Sequence, residues 1–214
     1  MINAVDKFII LDDANFRKQG FINRNTILSQ GKKQQINIQI NSISSSKLIL
    51  EHELNNNFIW KKKLLKAIHQ NYSKAIYFSK VYPIIEECIL FDSFKLSNYL
   101  TYQIKQIALF LNISTEIVKS SSIYPKIDLV GQERLLNICK KESATMYINA
   151  IGGQELYSKK IFNDNNIELK FIKTGNIQYR QFTSEFVPFL SIIDVMMFNS
   201  TAEIKKMLNK YTLI

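Results

Sequence analysis

The sequence has few of the residues that build disulfide-bonded or metal-stabilised folds. Its 214 residues include two cysteines, two histidines, three prolines and six glycines. Cys88 and Cys139 do not form a C-x-x-C pair, which disfavours both a disulfide framework and a thiolate zinc site. A chain of this length buries about 70% of its unfolded surface and needs neither device to fold. We therefore expect reduced thiols and a cytoplasmic protein.

Long hydrophobic runs are also missing. The longest apolar stretch, residues 186–198, is shorter than the ~20 residues of a membrane-spanning helix and contains Asp194. No basic region followed by an apolar segment opens the chain, so we expect neither a signal peptide nor a membrane span. A carboxylate among apolar residues needs a partner, and we expect Arg180 or a backbone cap to meet Asp194.

Arginine is scarce although the chain is basic. The net charge is +10, from 28 basic and 18 acidic residues, yet the only arginines are Arg17, Arg24, Arg134 and Arg180. A lysine-rich coat is typical of a solvated surface, and no nucleic-acid-binding motif accompanies it, so we expect no nucleic-acid partner. The arginines are of interest because lysine cannot replace a bidentate guanidinium group.

Strand and helix patterns alternate along the chain, which predicts an α/β fold. We expect strands at 7–11, 35–40, 115–118, 145–149, 167–172 and 177–182, with a pairing segment at 48–50. We expect helices at 58–72, 82–91, 97–111, 131–141, 154–162, 191–198 and 202–211. Single helices between the later strands favour three layers, with a largely parallel sheet flanked by helices. Residues 1–214 are expected to form a single domain, with a helical insertion at about 58–112 in the middle third as scaffold.

The first candidate site follows the first strand, where open α/β sheets bind their ligands. It contains two carboxylates, two guanidinium groups and two amides: Asp12, Asp13, Arg17, Asn23, Arg24 and Asn25. An arginine there could hold a phosphate or carboxylate through paired hydrogen bonds. The alternative is an exposed turn whose acids and bases neutralise each other. Two adjacent acids are weak evidence for magnesium, and we assign no metal.

Two further stretches follow later strands. Asn149, Gly152, Gly153 and Gln154 lie where a strand leads into a helix, which suits an anion or a plain tight turn. Ser121, within a run of three serines, could bind a sugar or phosphate or cap the next segment. Arg134 is a candidate ligand because a cation in the first helical turn opposes the helix dipole. No nucleotide-loop, triad or zinc motif is present, and the cofactor is unknown.

Six segments together resemble the WbqC-like protein family. They are Asp6-Lys-Phe-Ile-Ile-Leu-Asp-Asp13, Gly20-Phe-Ile-Asn-Arg-Asn25, Trp60-Lys-Lys-Lys-Leu-Leu65, Gly131-Gln-Glu-Arg-Leu-Leu136, Tyr147-Ile-Asn-Ala-Ile-Gly-Gly-Gln-Glu-Leu156 and Leu190-Ser-Ile-Ile-Asp-Val-Met-Met-Phe-Asn199. Similar proteins usually begin with a strand, a Gln-Pro pair and an aromatic Pro-Tyr-x-Gly turn. The sequence printed here lacks that segment, so we expect either a shortened form or a start further upstream.

The resemblance implies a cytoplasmic enzyme of bacterial surface-polysaccharide (O-antigen, lipopolysaccharide) biosynthesis. The implied reaction is transfer of an acyl or aminoacyl group, such as glycyl, to the amine of a nucleotide-linked amino sugar. Arg24, Arg17 or Arg134 would bind the pyrophosphate, and Asp12 or Asp13 would deprotonate the sugar ammonium. An acyl or aminoacyl carrier protein could supply the group. The alternative is a non-catalytic module that binds the sugar nucleotide or carrier-bound acyl group for a partner enzyme.

Overall fold

The computed structural model describes residues 1–125 and 129–214. Its strands are β1 (Lys7–Ile9), β2 (Arg24–Ser29), β3 (Lys32–Asn37), β4 (Ile40–Asn41), β5 (Glu53–Leu54), β6 (Glu116–Val118), β7 (Met146–Ala150), β8 (Glu168–Thr174) and β9 (Tyr211–Leu213). Its α-helices are α1 (Ile59–Tyr72), α2 (Phe78–Leu90), α3 (Leu96–Phe110), α4 (Gly131–Lys141), α5 (Lys159–Asn163), α6 (Ile192–Phe198) and α7 (Thr201–Leu208). Short 3-10 turns lie at Ile2–Ala4, Ile49–Glu51, Ser121–Ile123 and Ile151–Leu156.

The strands form small sheets of mixed direction. Within the described ranges there are four: β1 with β6, β2 with β3, β4 with β5, and β7-β8-β9. The β1–β6 and β7–β8 pairs are parallel, and the other pairs are antiparallel. The α/β class is therefore confirmed. The single, largely parallel three-layer sheet is not what these strands form, because antiparallel hairpins interrupt the parallel crossovers.

The β2–β3 hairpin was not predicted, and its turn explains why the two strands pair. Gln30 and Gly31 both have positive φ, 48° and 76°. Positive φ at both central residues is the signature of a type I′ turn, whose twist matches that of the flanking strands. The expected pairing segment at 48–50 is wrong: those residues lie in and beside the 3-10 turn Ile49–Glu51, and β4 pairs with β5 instead.

The helical insertion packs into the same core as the strands around it. Buried side chains from α1, α2 and β2 form one cluster with Met196 and Met197 of α6 and Ile204 of α7. A second cluster joins α4 to α5 and β8, and a third surrounds Trp60 and Tyr99. The insertion is thus continuous with the rest of the fold. No helix among the described residues has both the length and the apolar character to cross a bilayer.

The last third departs from the predictions at three places. The helix expected at 154–162 is a 3-10 turn, Ile151–Leu156, followed by the short α5. The helix expected at 202–211 ends at Leu208, and β9 follows it. The strand expected at 177–182 is wrong, because this segment turns inward to supply hydrogen bonds to a buried carboxylate.

That carboxylate is Asp194, which is fully buried in the first turn of α6. It accepts hydrogen bonds from the hydroxyls of Tyr72 and Tyr179, both at 2.7 Å, and from the amide of Gln181 at 2.8 Å. Burial and the neighbouring carboxylate raise the pKa of both tyrosines. The expected pairing with Arg180 is wrong, since Arg180 is exposed and neutral donors satisfy Asp194 instead.

Candidate functional site

The carboxyl ends of β1 and β6 lie side by side and bring distant polar residues together. Their parallel register ends at Ile9 opposite Val118. Beyond it, the amide of Ile10 donates to the carbonyl of Val118 and the amide of Ser121 donates to the carbonyl of Ile10. Asp12 and Asp13 therefore meet the serine run that follows β6, as the strand-end rule predicts.

Asp12 is the centre of a cluster of neutral hydrogen-bond donors. Its side chain is buried and accepts from the hydroxyl of Ser97 at 2.5 Å and the hydroxyl of Ser120 at 2.7 Å. It also accepts from the backbone amide of Ser121 at 3.1 Å. The Ser121 hydroxyl lies 3.3 Å from Asp12 but only 2.6 Å from Asp13, so it donates its hydrogen bond to Asp13. The donors to Asp12 are thus hydroxyl and amide groups, all of them neutral.

Asp13 forms a buried ion pair with Arg134. The Asp13 carboxylate lies 2.8 Å from the guanidinium group, and both side chains are less than one-tenth exposed. The same terminal nitrogen, Nη2, also lies 2.9 Å from the carbonyls of Ser121 and Tyr124, and Nη1 donates to the carbonyl of Pro125 at 3.0 Å. Arg134 therefore fastens α4 to the segment after β6. Its side chain is buried and is not among the residues that line the cavity next to Asp12.

A cavity of about 440 Å³ adjoins Asp12. Asp12 and Ser97 lie on one wall, and Asn23, Arg24 and Asn25 of the β2 region lie on another. Most of the remaining lining residues are isoleucines and leucines, many of them from the α1–α3 insertion, and the further polar ones are Asn37, Gln103 and Ser191. A mainly apolar cleft with a few convergent polar groups is the usual form of a small-molecule site.

Arg24 has the arrangement expected of an anion-binding side chain. It is half-buried, and its Nε donates to the carbonyl of Gly20 at 3.0 Å. Its terminal amino groups have no hydrogen-bond partner among the described residues. Asn25 is exposed beside it, whereas the buried Asn23 amide donates to the carbonyl of Ile38. Arg24 is thus oriented by the chain with its guanidinium edge still available for a phosphate.

The other predicted residues lie outside this cavity. Arg17 is exposed and is not among the residues of the cavity wall. Asn149 lies at the end of β7, in a different sheet, where its side chain bonds to the Tyr147 hydroxyl and the Ala150 amide. A Cβ on the buried Gly153 would lie 3.2 Å from Asn149 and Tyr157, so this glycine permits close packing.

Gly152 and Gln154, on either side of Gly153, are exposed within the 3-10 turn at the end of β7. The segment from Asn149 to Gln154 is therefore a largely exposed turn around one buried glycine, and a 3-10 turn stands in place of the expected long helix. Nothing in the described residues joins this turn to Asp12 by a hydrogen bond.

Ser97 is the site residue that the sequence did not reveal. It lies in the first turn of α3, 85 residues after Asp12, where it is buried, bonded to that carboxylate and part of the cavity lining. Leu100, Ile104 and Ile107 follow it on the same helical face and line the cavity. The periodicity of this stripe was visible in the sequence, but we interpreted it as scaffold. The insertion in fact supplies much of the site's apolar wall.

The site combines the Ser97–Asp12 pair, the Arg24 guanidinium group with its Nε bonded and its terminal amino groups available, and an apolar wall. A serine that donates to a carboxylate can accept a proton on its own oxygen and pass its proton on. Among residues 1–125 and 129–214, no three histidine, cysteine or acidic side chains gather where they could hold a metal ion.

Comparisons with known proteins agree with the motifs. The model of the WbqC-like protein family matches residues 1–206. A protein of Mycobacterium tuberculosis, described as uncharacterized protein Rv1507c, is 28% identical over 206 residues, covering 95% of this chain and 87% of that protein. No solved structure matches the chain significantly. Because the family model spans nearly the whole chain, the protein belongs to the WbqC-like protein family.

Proposed function

We propose that this protein is a cytoplasmic enzyme of bacterial surface-polysaccharide (O-antigen) assembly that acylates a nucleotide-linked amino sugar. The reaction is transfer of an acyl or aminoacyl group to the sugar amine, with the group supplied as an activated ester, for example on a carrier protein. One observation carries the proposal: a single cavity is lined by a buried serine–carboxylate pair and by an arginine with free donors.

Asp12 is the base, and it acts through Ser97. The sugar amine attacks as neutral –NH2, after its ammonium form has lost a proton to solvent, and it must lose one further proton as the amide forms. The Ser97 hydroxyl, which donates to Asp12, lines the cavity together with that carboxylate. As the amine nitrogen bonds to the acyl carbon, its proton passes to the Ser97 oxygen and the Ser97 proton passes to Asp12. The bond between the acyl carbon and its leaving group then breaks, and the leaving group takes the electron pair. General-base catalysis of this kind contributes about 10²–10⁴-fold to the rate.

Arg24 binds the diphosphate at the cavity mouth. Its Nε is fixed by the carbonyl of Gly20, which directs the planar guanidinium group. The neighbouring Phe21 is 82% exposed and Asn25 is also exposed, so this side of the cavity faces solvent. The nucleotide can lie at the surface while the sugar amine reaches Ser97. Asp13, Ser121 and Arg134 then act as positioning residues, because they hold the serine run against Asp12.

Isothermal titration with UDP- and dTDP-linked amino sugars tests the binding part of this proposal. We expect Arg24→Lys to weaken binding by about 1–3 kcal/mol, since lysine offers a point charge in place of a planar fork. Arg180→Lys, on an exposed arginine outside the cavity, is the matched control and should bind as the wild type does. A wild-type protein that binds single-stranded DNA but none of these nucleotides would contradict the proposal.

A non-catalytic binding role for the same cavity is the second candidate function. It is favoured by the saturation of Asp12, whose carboxylate already receives two hydroxyl donors and one amide donor. A module of this kind would present a sugar nucleotide or a carried acyl group to a partner enzyme. Tight nucleotide binding without product, even with an activated acyl donor present, would favour this role.

A further inference from the structure

We infer that the cavity binds a linear aliphatic acyl chain of medium length, with its carbonyl end at Ser97 and its methyl end along α3. The inference rests on the proposed function, since it names the class of acyl group that the enzyme transfers. It selects a hydrocarbon chain over a small aminoacyl group such as glycyl. Volume, polarity and helical geometry support it separately.

The volume sets the size of the occupant. A cavity of about 440 Å³ holds about 15 non-hydrogen atoms if each occupies about 30 Å³, the share of one water in the liquid. A nucleotide diphosphate sugar is more than twice that size, so it cannot be enclosed. A glycyl group would leave most of the space empty. An acyl chain of about eight to twelve carbons and its carbonyl group fill the cavity.

The polarity of the wall excludes a sugar ring from the deep part. Ile68, Ile85 and Ile89, from α1 and α2, are at most 4% exposed and line the cavity. They offer no hydrogen-bond partner to sugar hydroxyls, which would then be buried without partners. A hydrocarbon chain gains free energy on the same wall, because it leaves water without losing hydrogen bonds.

The face of α3 sets the direction of the chain. Ser97, Leu100, Ile104 and Ile107 are spaced by three, four and three residues, so they lie on one side of the helix. This stripe is about 15 Å long at 1.5 Å per residue. It begins at the hydroxyl bonded to Asp12 and continues with these aliphatic side chains, while Gln103 of the same helix also lines the cavity and donates to the carbonyl of Cys88. An acyl carbonyl beside Ser97 therefore has its chain directed along the stripe.

Ile104 marks a position where the wall has space in front of it. It lines the cavity and is half-buried, yet it belongs to none of the three packed core clusters. Its neighbour Ile107 packs against the main core. A larger side chain at position 104 can therefore extend into the cavity without displacing the core.

Titration of wild-type protein with neutral N-acetylcysteamine thioesters tests the inference without any variant. The series is acetyl, hexanoyl, decanoyl and tetradecanoyl, measured by calorimetry in the absence of nucleotide. We expect affinity to rise about fourfold for each methylene added up to decanoyl. The tetradecanoyl ester should gain little more, because the cavity is then full. Equal affinity for acetyl and decanoyl esters, or an undiminished gain at tetradecanoyl, would overturn the inference.

Ile104→Trp should occupy part of the cavity and lower decanoyl affinity at least about tenfold, with UDP affinity unchanged. Leu109→Trp, on the same helix at a side chain that is 70% exposed, is the control and should leave both affinities unchanged. Undiminished decanoyl binding to a folded Ile104→Trp protein would overturn the inference. If the wild-type protein binds the nucleotides but its affinity for the thioesters does not depend on chain length, the acyl site is rejected and the proposed function is not. If its affinity for the thioesters rises with chain length but it binds no nucleotide, the amino-sugar acceptor is rejected and the acyl site is not.

Discussion

Replacement of Arg134 by methionine separates a structural role for this arginine from a ligand-binding role. The guanidinium group donates to Asp13 at 2.8 Å and to the carbonyls of Ser121, Tyr124 and Pro125 at 2.9–3.0 Å. Methionine keeps the apolar stem but removes every one of these donors. Removal of one member of a buried ion pair typically costs about 3–5 kcal/mol, because the other charge stays buried.

We therefore expect Arg134→Met to lower the free energy of unfolding by about 3–5 kcal/mol in urea titrations. For a chain of this length each kcal/mol corresponds to about 2–4 °C, so the midpoint of thermal unfolding should fall by about 10 °C. Arg180→Met, at an exposed arginine, should change stability by less than about 0.5 kcal/mol. A stable Arg134→Met protein that has lost nucleotide binding would refute this reasoning and return Arg134 to the binding site.

Three further predictions concern stability and reactivity. Asp194→Ala should destabilise the protein by about 3–5 kcal/mol in urea titrations, because three donors lose their buried acceptor; a loss below about 1 kcal/mol would contradict the network. Hydrogen bonds from Lys7 and Tyr124 lower the pKa of Glu142 below its usual 4.5. The contribution of Glu142 to the free energy of unfolding is therefore present above that pH and is lost as the pH falls. Glu142→Gln should therefore lower the melting temperature near neutral pH and have no effect well below pH 4.5, and a loss of equal size in acid would contradict this. Burial raises the pKa of the Cys88 and Cys139 thiols to about 11. At mildly alkaline pH, iodoacetamide should therefore alkylate them at least about a hundredfold faster in urea than in buffer. Equal alkylation rates would show that both thiols are accessible in the folded protein.

The elements that the sequence predicted correctly are those with a strong local signal. The helix at 131–141 has the predicted bounds, and α1 and α3 lie within one residue of theirs. Their apolar stripes specify a helix without help from distant residues. The strands β1 and β6 were found because short apolar runs were flanked by polar residues.

The elements that were missed depend on partners distant in the sequence. The segment 177–182 alternates like a strand, but Tyr179 and Gln181 are drawn to Asp194 by the need to satisfy a buried carboxylate. β2 has no clear alternation in the sequence, and its pairing with β3 is recognised only in the structure, where Gln30 and Gly31 have positive φ. β9 follows α7 directly and pairs with β8. Tertiary hydrogen bonds determine the conformation of each of these three segments, and local secondary-structure propensity carries no information about such bonds.

The site was half predictable for the same reason. Asp12 and Ser121 both follow strands, and the strand-end rule correctly places them together once β1 and β6 pair. Ser97 lies at the start of a helix in the insertion, and nothing local distinguishes it from a surface serine. Its role follows from the 2.5 Å contact with Asp12, which only the packing of α3 against the strand ends creates.

Product formation by the Ser97→Ala variant tests the central claim most directly. Wild-type protein, an amino-sugar nucleotide and an activated acyl thioester should yield the N-acylated nucleotide sugar, detected by mass spectrometry. If Ser97 passes the amine proton to Asp12, Ser97→Ala should bind the nucleotide normally and turn over about 10²-fold more slowly. Ser45→Ala, at an exposed serine outside the cavity lining, should turn over as the wild type does. Equal turnover by Ser97→Ala and the wild type would contradict the assignment of this cavity as the catalytic site.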